Sequence, residues 1–168
     1  MQKDVWTSDM IHGSCMNGTK LWILRFGDKF TSECFALESS TCINPNTVTS
    51  VLSRLFKIRA AAPFQRSDKG WEFIARSKRM LLYDANCTAR FIQPGKPWQH
   101  GFIESFHSTL PRDHLDVEVF FNLLDAQLKT SIYRNDTNQV RTHSALGYKA
   151  PADYATMKDR SLVVLLGY

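Results

Sequence analysis

Three carboxylates stand where an ordinary solvated acid is not the expected residue. Asp9 interrupts an otherwise apolar run, Asp68 closes a short strand-like run just before Gly70, and Glu104 lies in an amphipathic stretch. An aspartate in a buried strand is costly unless a cation or hydrogen bonds stabilise it. A hard divalent cation, which prefers oxygen ligands, would remove that cost. Two Mg²⁺ ions roughly 3.5 to 4 Å apart can activate an attacking hydroxyl and stabilise the leaving 3′ oxygen in an in-line displacement at phosphorus. Asp9, Asp68 and Glu104 are therefore the candidate catalytic residues and the candidate metal ligands.

The elements that must position these acids follow from patterning. Residues 4 to 12, 19 to 26 and 32 to 38 carry the aromatic and aliphatic residues of strands, and Asn17-Gly18 is a two-residue turn signal between the first two. Asn44 is expected to cap a helix with Pro45 at its first position. Val48, Val51, Leu52, Leu55 and Ile58 then keep helical spacing to about Arg59. A strand from Pro63 to Ser67 leads to Asp68, a helix runs from Glu72 to Asp84, and a brief strand spans Thr88 to Ile92. The order to the end of that second helix is βββαβα. After the turn Pro94-Gly95-Lys96-Pro97, residues 98 to 110 form a helix with Phe102, Ile103, Phe106 and Leu110 on one side. At about 100° per residue, Glu104 lies roughly 145° from the centre of that stripe, on the side of His100, His107 and Ser108. Helix geometry alone leaves such an acid solvated; the other two carboxylates give it a role. Asp116 or a neighbour is expected to cap a further helix in which Val117, Phe121, Leu124, Leu128 and Ile132 form a buried stripe.

A chain of 168 residues suits one domain with its own core. With 43% hydrophobic and 22% charged residues, the composition is that of a folded globule and excludes a disordered tail. The net charge of +5 favours a polyanionic partner without requiring one. Cys15, Cys34, Cys42 and Cys87 form no CxxC pair, so reduced, mostly buried thiols of a cytosolic protein are expected rather than a zinc site or disulfide framework. No signal-peptide core precedes the first strand and no apolar run approaches the ~18 residues of a membrane span, so a cytoplasmic location is expected. His100, His107 and His114 recur every seven residues, which does not match the i, i+4 spacing of helical zinc ligands. Trp6 and Trp22 are expected in the core, and Trp98 at the entry to the 98 to 110 helix.

The runs RSDKGWEFIA (66 to 75), PGKPWQHGFIESFHSTLPRDHL (94 to 115) and RTHSALGYKAPADY (141 to 154), together with VWTSDM (5 to 10) and GDKFTSECFALE (27 to 38), carry a family resemblance. The chain resembles the integrase catalytic core of bacterial insertion-sequence transposases, a DDE branch of the retroviral integrase superfamily, over about residues 3 to 155. Thirty-five residues lie between Asp68 and Glu104, the spacing that family shows between its second and third acids, and Asp9 falls where the first belongs. The resemblance implies an α/β, RNase H-like fold with a central mixed five-stranded sheet flanked by helices, in a catalytic core of residues 1–155 followed by a tail at 156–168. It also implies cleavage of element ends and strand transfer into target DNA, dependent on Mg²⁺ or Mn²⁺, with two ions when DNA is bound. A homo-oligomer is expected on the same basis. Lys69, Lys96, His100, His107 and Arg112 are the candidate DNA contacts. Lys129, Arg134, Arg141, His143 and Lys149 are further phosphate-contact candidates, although any one such residue is more often a solvated surface residue.

The chain departs from that family's pattern at several places. Asp68 is followed by Lys69-Gly70-Trp71-Glu72-Phe73 where the family reads Asn-Gly-Pro-Glu-Phe. Lys69 either competes with a metal for Asp68 or reaches outward to a DNA phosphate. Gln65 takes an ordinarily aliphatic strand position, Thr137 and Thr142 replace Tyr and Pro, and the ending SLVVLLGY is unusually apolar. Related transposases carry helix-turn-helix segments ahead of the core, whereas Met1 here nearly abuts the first strand. Such segments are expected from a separate protein encoded upstream; alternatively the chain is a truncated, catalytically inactive DNA-binding remnant. A nuclease of the same fold, which cuts without joining, is a third reading.

Overall fold

The computed structural model of the chain describes residues 5–59, 62–67, 75–91 and 118–165. Three antiparallel strands open it: β1 (Val5–Ser14), β2 (Lys20–Asp28) and β3 (Cys34–Ser40). The β1–β2 turn forms where expected. Gly18 adopts φ +81°, a conformation that favours glycine, and Asn17 Oδ1 accepts the Thr19 amide at 3.1 Å. Helix α1 (Pro45–Ile58) is capped by Asn44, whose Oδ1 accepts the Thr47 amide at 2.9 Å, with Pro45 in the first turn. Val48, Val51, Leu52 and Leu55 are buried as the spacing predicts, but Ile58, at the last turn, is exposed. The chain continues through β4 (Phe64–Ser67), α2 (Ala75–Asp84) and β5 (Thr88–Phe91), then α3 (Leu123–Gln139), a short 3₁₀ turn (Ser144–Leu146) and α4 (Pro151–Leu165).

The sheet order is β3-β2-β1-β4-β5. β1 pairs antiparallel with β2 and parallel with β4, and β4 pairs parallel with β5, so the sheet is mixed, as expected. Each face carries its own core. Trp6, Leu24, Phe26 and Ala36 meet the buried residues of α1 together with Leu82 of α2, while Leu21, Ile23 and Leu37 meet Phe120 and Ala126 on the opposite side. Trp6 is in the core, its ring 5.0 Å from that of Phe35 and 5.3 Å from that of Phe56. Trp22 is not; it is half-buried against the His12 ring at 3.9 Å, near the turn that closes the hairpin.

The expected buried stripe on α3 faces outward. Phe121, Leu124, Leu128 and Ile132 are 59% to 75% exposed, and the helix begins at Leu123 under an Asn122 cap; Asp116 and Val117 lie outside the described residues. The buried side is instead Ala126, Thr130 and Thr137. The reason lies in β3, an edge strand whose unpaired backbone groups need partners. Asn138 accepts the Cys34 amide and donates to the Cys34 carbonyl, both at 2.8 Å, so its amide stands in for a missing strand. Further along, Gln127 Nε2 donates to the Ser39 carbonyl at 3.2 Å, and the Thr130 and Ser39 hydroxyls meet at 3.0 Å. Ala126 lets the helix approach closely enough for these bonds. Polar satisfaction of the strand edge, rather than apolar burial, has selected the inward face.

Gln65 carries a stability cost that the sequence already indicated. Only 1% exposed in β4, it donates from Nε2 to Ser8 Oγ at 3.1 Å, while its Oε1 has no hydrogen-bond partner among the described residues. Replacing both members of such a pair with apolar groups removes the unsatisfied oxygen without orphaning the hydroxyl. The double variant Gln65→Leu/Ser8→Ala is expected to be more stable by roughly 1 to 2 kcal/mol in urea unfolding. Equal or lower stability would show that the pair is already satisfied.

Candidate functional site

Asp9 sits in the middle of β1, half-buried, on the sheet face covered by α3. Its Oδ1 accepts the Met10 amide at 2.8 Å. Directly opposite on β2 is Arg25, and residues paired in register present their side chains to the same face. An ion pair would be the ordinary outcome, yet none forms: among the described residues the ion pairs are Arg54–Glu38, Arg59–Glu33 and Lys129–Asp125. Arg25 is itself buried. Among the described residues the Asp9 carboxylate is thus left without a cation partner, a condition that suits a hard metal ion.

On the other side of β1, Ser8 pairs with Ser67 and Thr7 with Arg66. Ser67 is the residue before Asp68, and Ser8 the residue before Asp9. Asp68 and Glu104 themselves lie outside the described residues, as do Lys69, Lys96, His100, His107, Arg112, His114 and Trp98. Among the described residues no group of three or more His, Cys, Asp or Glu gathers as a metal site. Asp28, an acid near the end of β2, is engaged locally: its Oδ1 accepts the Phe30 amide at 3.0 Å and its Oδ2 the Thr31 hydroxyl at 3.1 Å. It is a turn residue.

The electrostatics of this face are positive. Burial pulls the Arg66 guanidinium below its usual range, and burial together with Arg66 does the same to Lys29. These cations, with Arg25, flank the Asp9 row on a face suited to a polyanion. Sequence reading did not single out Arg25 or Arg66; the strand register, which no pattern supplies, is the signal that links them to Asp9.

Two integrase core domain families match the chain, one over residues 1–97 and the other over residues 85–151. The chain belongs to the integrase core domain family. It is similar to an uncharacterized 31.7 kDa protein of insertion element IS407 from Burkholderia multivorans, 32% identical over 152 residues that make up 90% of this chain and 55% of that protein. A 39.2 kDa uncharacterized protein of insertion element IS476 from Xanthomonas euvesicatoria is 28% identical over 155 residues, 92% of this chain and 45% of that one. The chain therefore spans about half the length of the curated relatives it matches. Among solved structures, the dimeric, magnesium-bound HTLV-2 integrase catalytic core domain superposes with a TM-score of 0.58 at 13% identity, covering 89% of this chain and 92% of that one. The integrase-core fold here is RNase H-like, with the mixed five-stranded sheet between helices. No helix among the described residues is long and apolar enough to cross a membrane.

Proposed function

We propose that this integrase core performs DDE transposase chemistry, cleaving DNA at element ends and transferring strands into a target, with Asp9, Asp68 and Glu104 as catalytic carboxylates and metal ligands. The observation that carries the reading is the Ser8–Ser67 pairing, which sets the residues preceding two of the acids side by side on adjacent parallel strands at the centre of the sheet. Asp9 fits a metal ligand, since its carboxylate is half-buried and paired with no described cation. Integrase cores generally depend on divalent metal, and Mg²⁺ or Mn²⁺ held by these acids would stabilise charge at the attacked phosphate. The protein's own contribution is positional: the Met10 amide fixes one oxygen of Asp9. Lys69, Lys96, His100, His107 and Arg112 are proposed DNA contacts, and the site of action is the bacterial cytoplasm. The test is metal-dependent nicking and strand transfer on a labelled duplex. Both products are expected with Mg²⁺ or Mn²⁺ and neither with chelator; nicking without joining would identify a nuclease, and no product at all an inactive DNA-binding remnant.

Self-association belongs to the same proposal, because holding two element ends requires more than one core. The outward α3 stripe supplies the surface, four large apolar side chains in a row where a monomer would carry polar residues. A second copy of the chain is the proposed occupant. Leu124→Asp/Leu128→Asp is expected to convert a dimer to monomer in sedimentation velocity without lowering the melting temperature, since neither side chain packs in the core. A wild-type chain that remains monomeric at about 100 μM would remove this surface from consideration.

A further inference from the structure

Among the asparagines of the chain, Asn17 alone is followed by glycine. A glycine leaves its backbone nitrogen unshielded, and that nitrogen can attack the carboxamide carbon of a preceding asparagine to close a five-membered ring. Asn17 and Gly18 are both exposed at the tip of the β1–β2 hairpin. Main-chain bonds fix the tip: the Gly18 amide donates to the Cys15 carbonyl and the Cys15 amide to the Thr19 carbonyl, each at 2.9 Å. Other asparagines lack the opportunity. Asn44 precedes Pro45, which has no N–H to lose, and Asn138 commits both ends of its side-chain amide to Cys34.

The local fold arranges this pair for reaction. Asn17 Oδ1 accepts the Thr19 amide at 3.1 Å. A side chain that reaches the amide two residues on must cross the peptide between them, so the Asn17 carboxamide carbon is drawn over the Gly18 nitrogen. The Thr19 N–H donates to the oxygen on which negative charge grows when that carbon is attacked, and so favours the tetrahedral intermediate. A Cβ at Gly18 would meet nothing within 4 Å, so the space around the pair is open to water.

We propose that Asn17 is a self-modification site, converted in the folded chain to aspartate and isoaspartate. The Gly18 nitrogen loses its proton to hydroxide and bonds to the Asn17 carboxamide carbon. The bond from that carbon to the side-chain nitrogen breaks, and the nitrogen leaves as ammonia with a proton taken from water. Water then opens the cyclic imide at either carbonyl, so that in sum water is taken up and ammonia released. Both products add a negative charge to a chain of net charge +5. Isoaspartate also runs the main chain through the Cβ of residue 17 and lengthens the turn. The Met16 amide donates to the Phe120 carbonyl at 2.7 Å, tying the tip to the residues that enter α3. The lengthened turn loosens that tie.

The test incubates the full folded chain at mildly alkaline pH and maps its peptides by mass spectrometry that separates aspartate from isoaspartate. Asn17 is expected to convert at least ~10-fold faster than the exposed Asn46 and Asn86, which precede threonine and cysteine. Its rate is expected to rise with pH, because the nucleophile is the deprotonated nitrogen. Gly18→Asn keeps the turn, since asparagine tolerates positive φ, but crowds the nucleophile, and conversion at Asn17 is expected to slow about tenfold. Amide-exchange protection at Met16 is expected to be lost in the isoaspartate form and kept in Asn17→Asp, which leaves the chain length unchanged. Asn17 intact after Asn46 and Asn86 have converted, conversion confined to the urea-unfolded chain, or a rate indifferent to Gly18→Asn overturns the proposal. Unchanged Met16 protection in the isoaspartate form overturns the link to α3.

Discussion

Asp9→Asn is expected to reduce metal-dependent DNA cleavage and strand transfer at least ~1000-fold, equivalent to roughly 4 kcal/mol of lost transition-state stabilisation. The substitution is nearly isosteric. Asparagine keeps an oxygen to accept the Met10 amide, so the local bond at 2.8 Å survives, while the charge that would hold a metal is lost. No described cation is paired with Asp9, so no ion pair is broken and the melting temperature is expected to stay within a few degrees. Asp28→Asn is the informative companion. That carboxylate serves the turn to Thr31, and its loss is expected to lower the melting temperature and leave the metal dependence of cleavage intact. Rates on a labelled duplex, measured against Mg²⁺ concentration for both variants, decide the matter. Asp9→Asn activity above about a tenth of wild type would exclude this residue from the metal site.

What the sequence made legible was local. Asn17-Gly18 and Asn44-Pro45 encode their turn and cap within a few residues, and both form as read. Asp9 announced itself because an acid in an apolar run is energetically conspicuous by its residue type alone. The orientation of α3 was not legible. A periodic apolar stripe states that one face differs from the other, and does not state which face meets the sheet. Here that choice was made by Asn138, Gln127 and Thr130 bonding to the exposed edge of β3, a relation between residues about 90 to 100 positions apart. The same distance problem hid Arg25. Only the β1–β2 register places it across from Asp9. For Asp68 and Glu104 the sequence reading still stands alone, because both lie outside the described residues.

Lys78 on α2 yields the largest stability effect expected from a single substitution. Its side chain is buried against the Cys87 side of the core, and burial, only partly offset by Cys87, lowers its pKa to about 8 from 10.5. The folded-state value lies below the unfolded one, so between about pH 8 and 10.5 the unfolded chain binds more protons than the folded chain. Stability from this group therefore rises as pH increases through that window, and below pH 8 the folded state carries Lys78 as a buried ammonium. The shift corresponds to roughly 3 kcal/mol, and Lys78→Met, which keeps the volume and removes the charge, is expected to recover about 2 to 3 kcal/mol at pH 7. Cys34 and Cys87 work in the opposite sense: burial raises both thiols, so above about pH 9 the unfolded chain loses protons first and stability declines. The raw pH profile mixes these contributions, whereas the difference between wild type and Lys78→Met isolates the ammonium. Urea unfolding at pH 7, 9 and 10 is expected to show the variant more stable at pH 7 and the gap closing steadily as pH rises. A gap that is absent at pH 7, or that does not change with pH, would mean that Lys78 keeps an ordinary proton affinity within the fold.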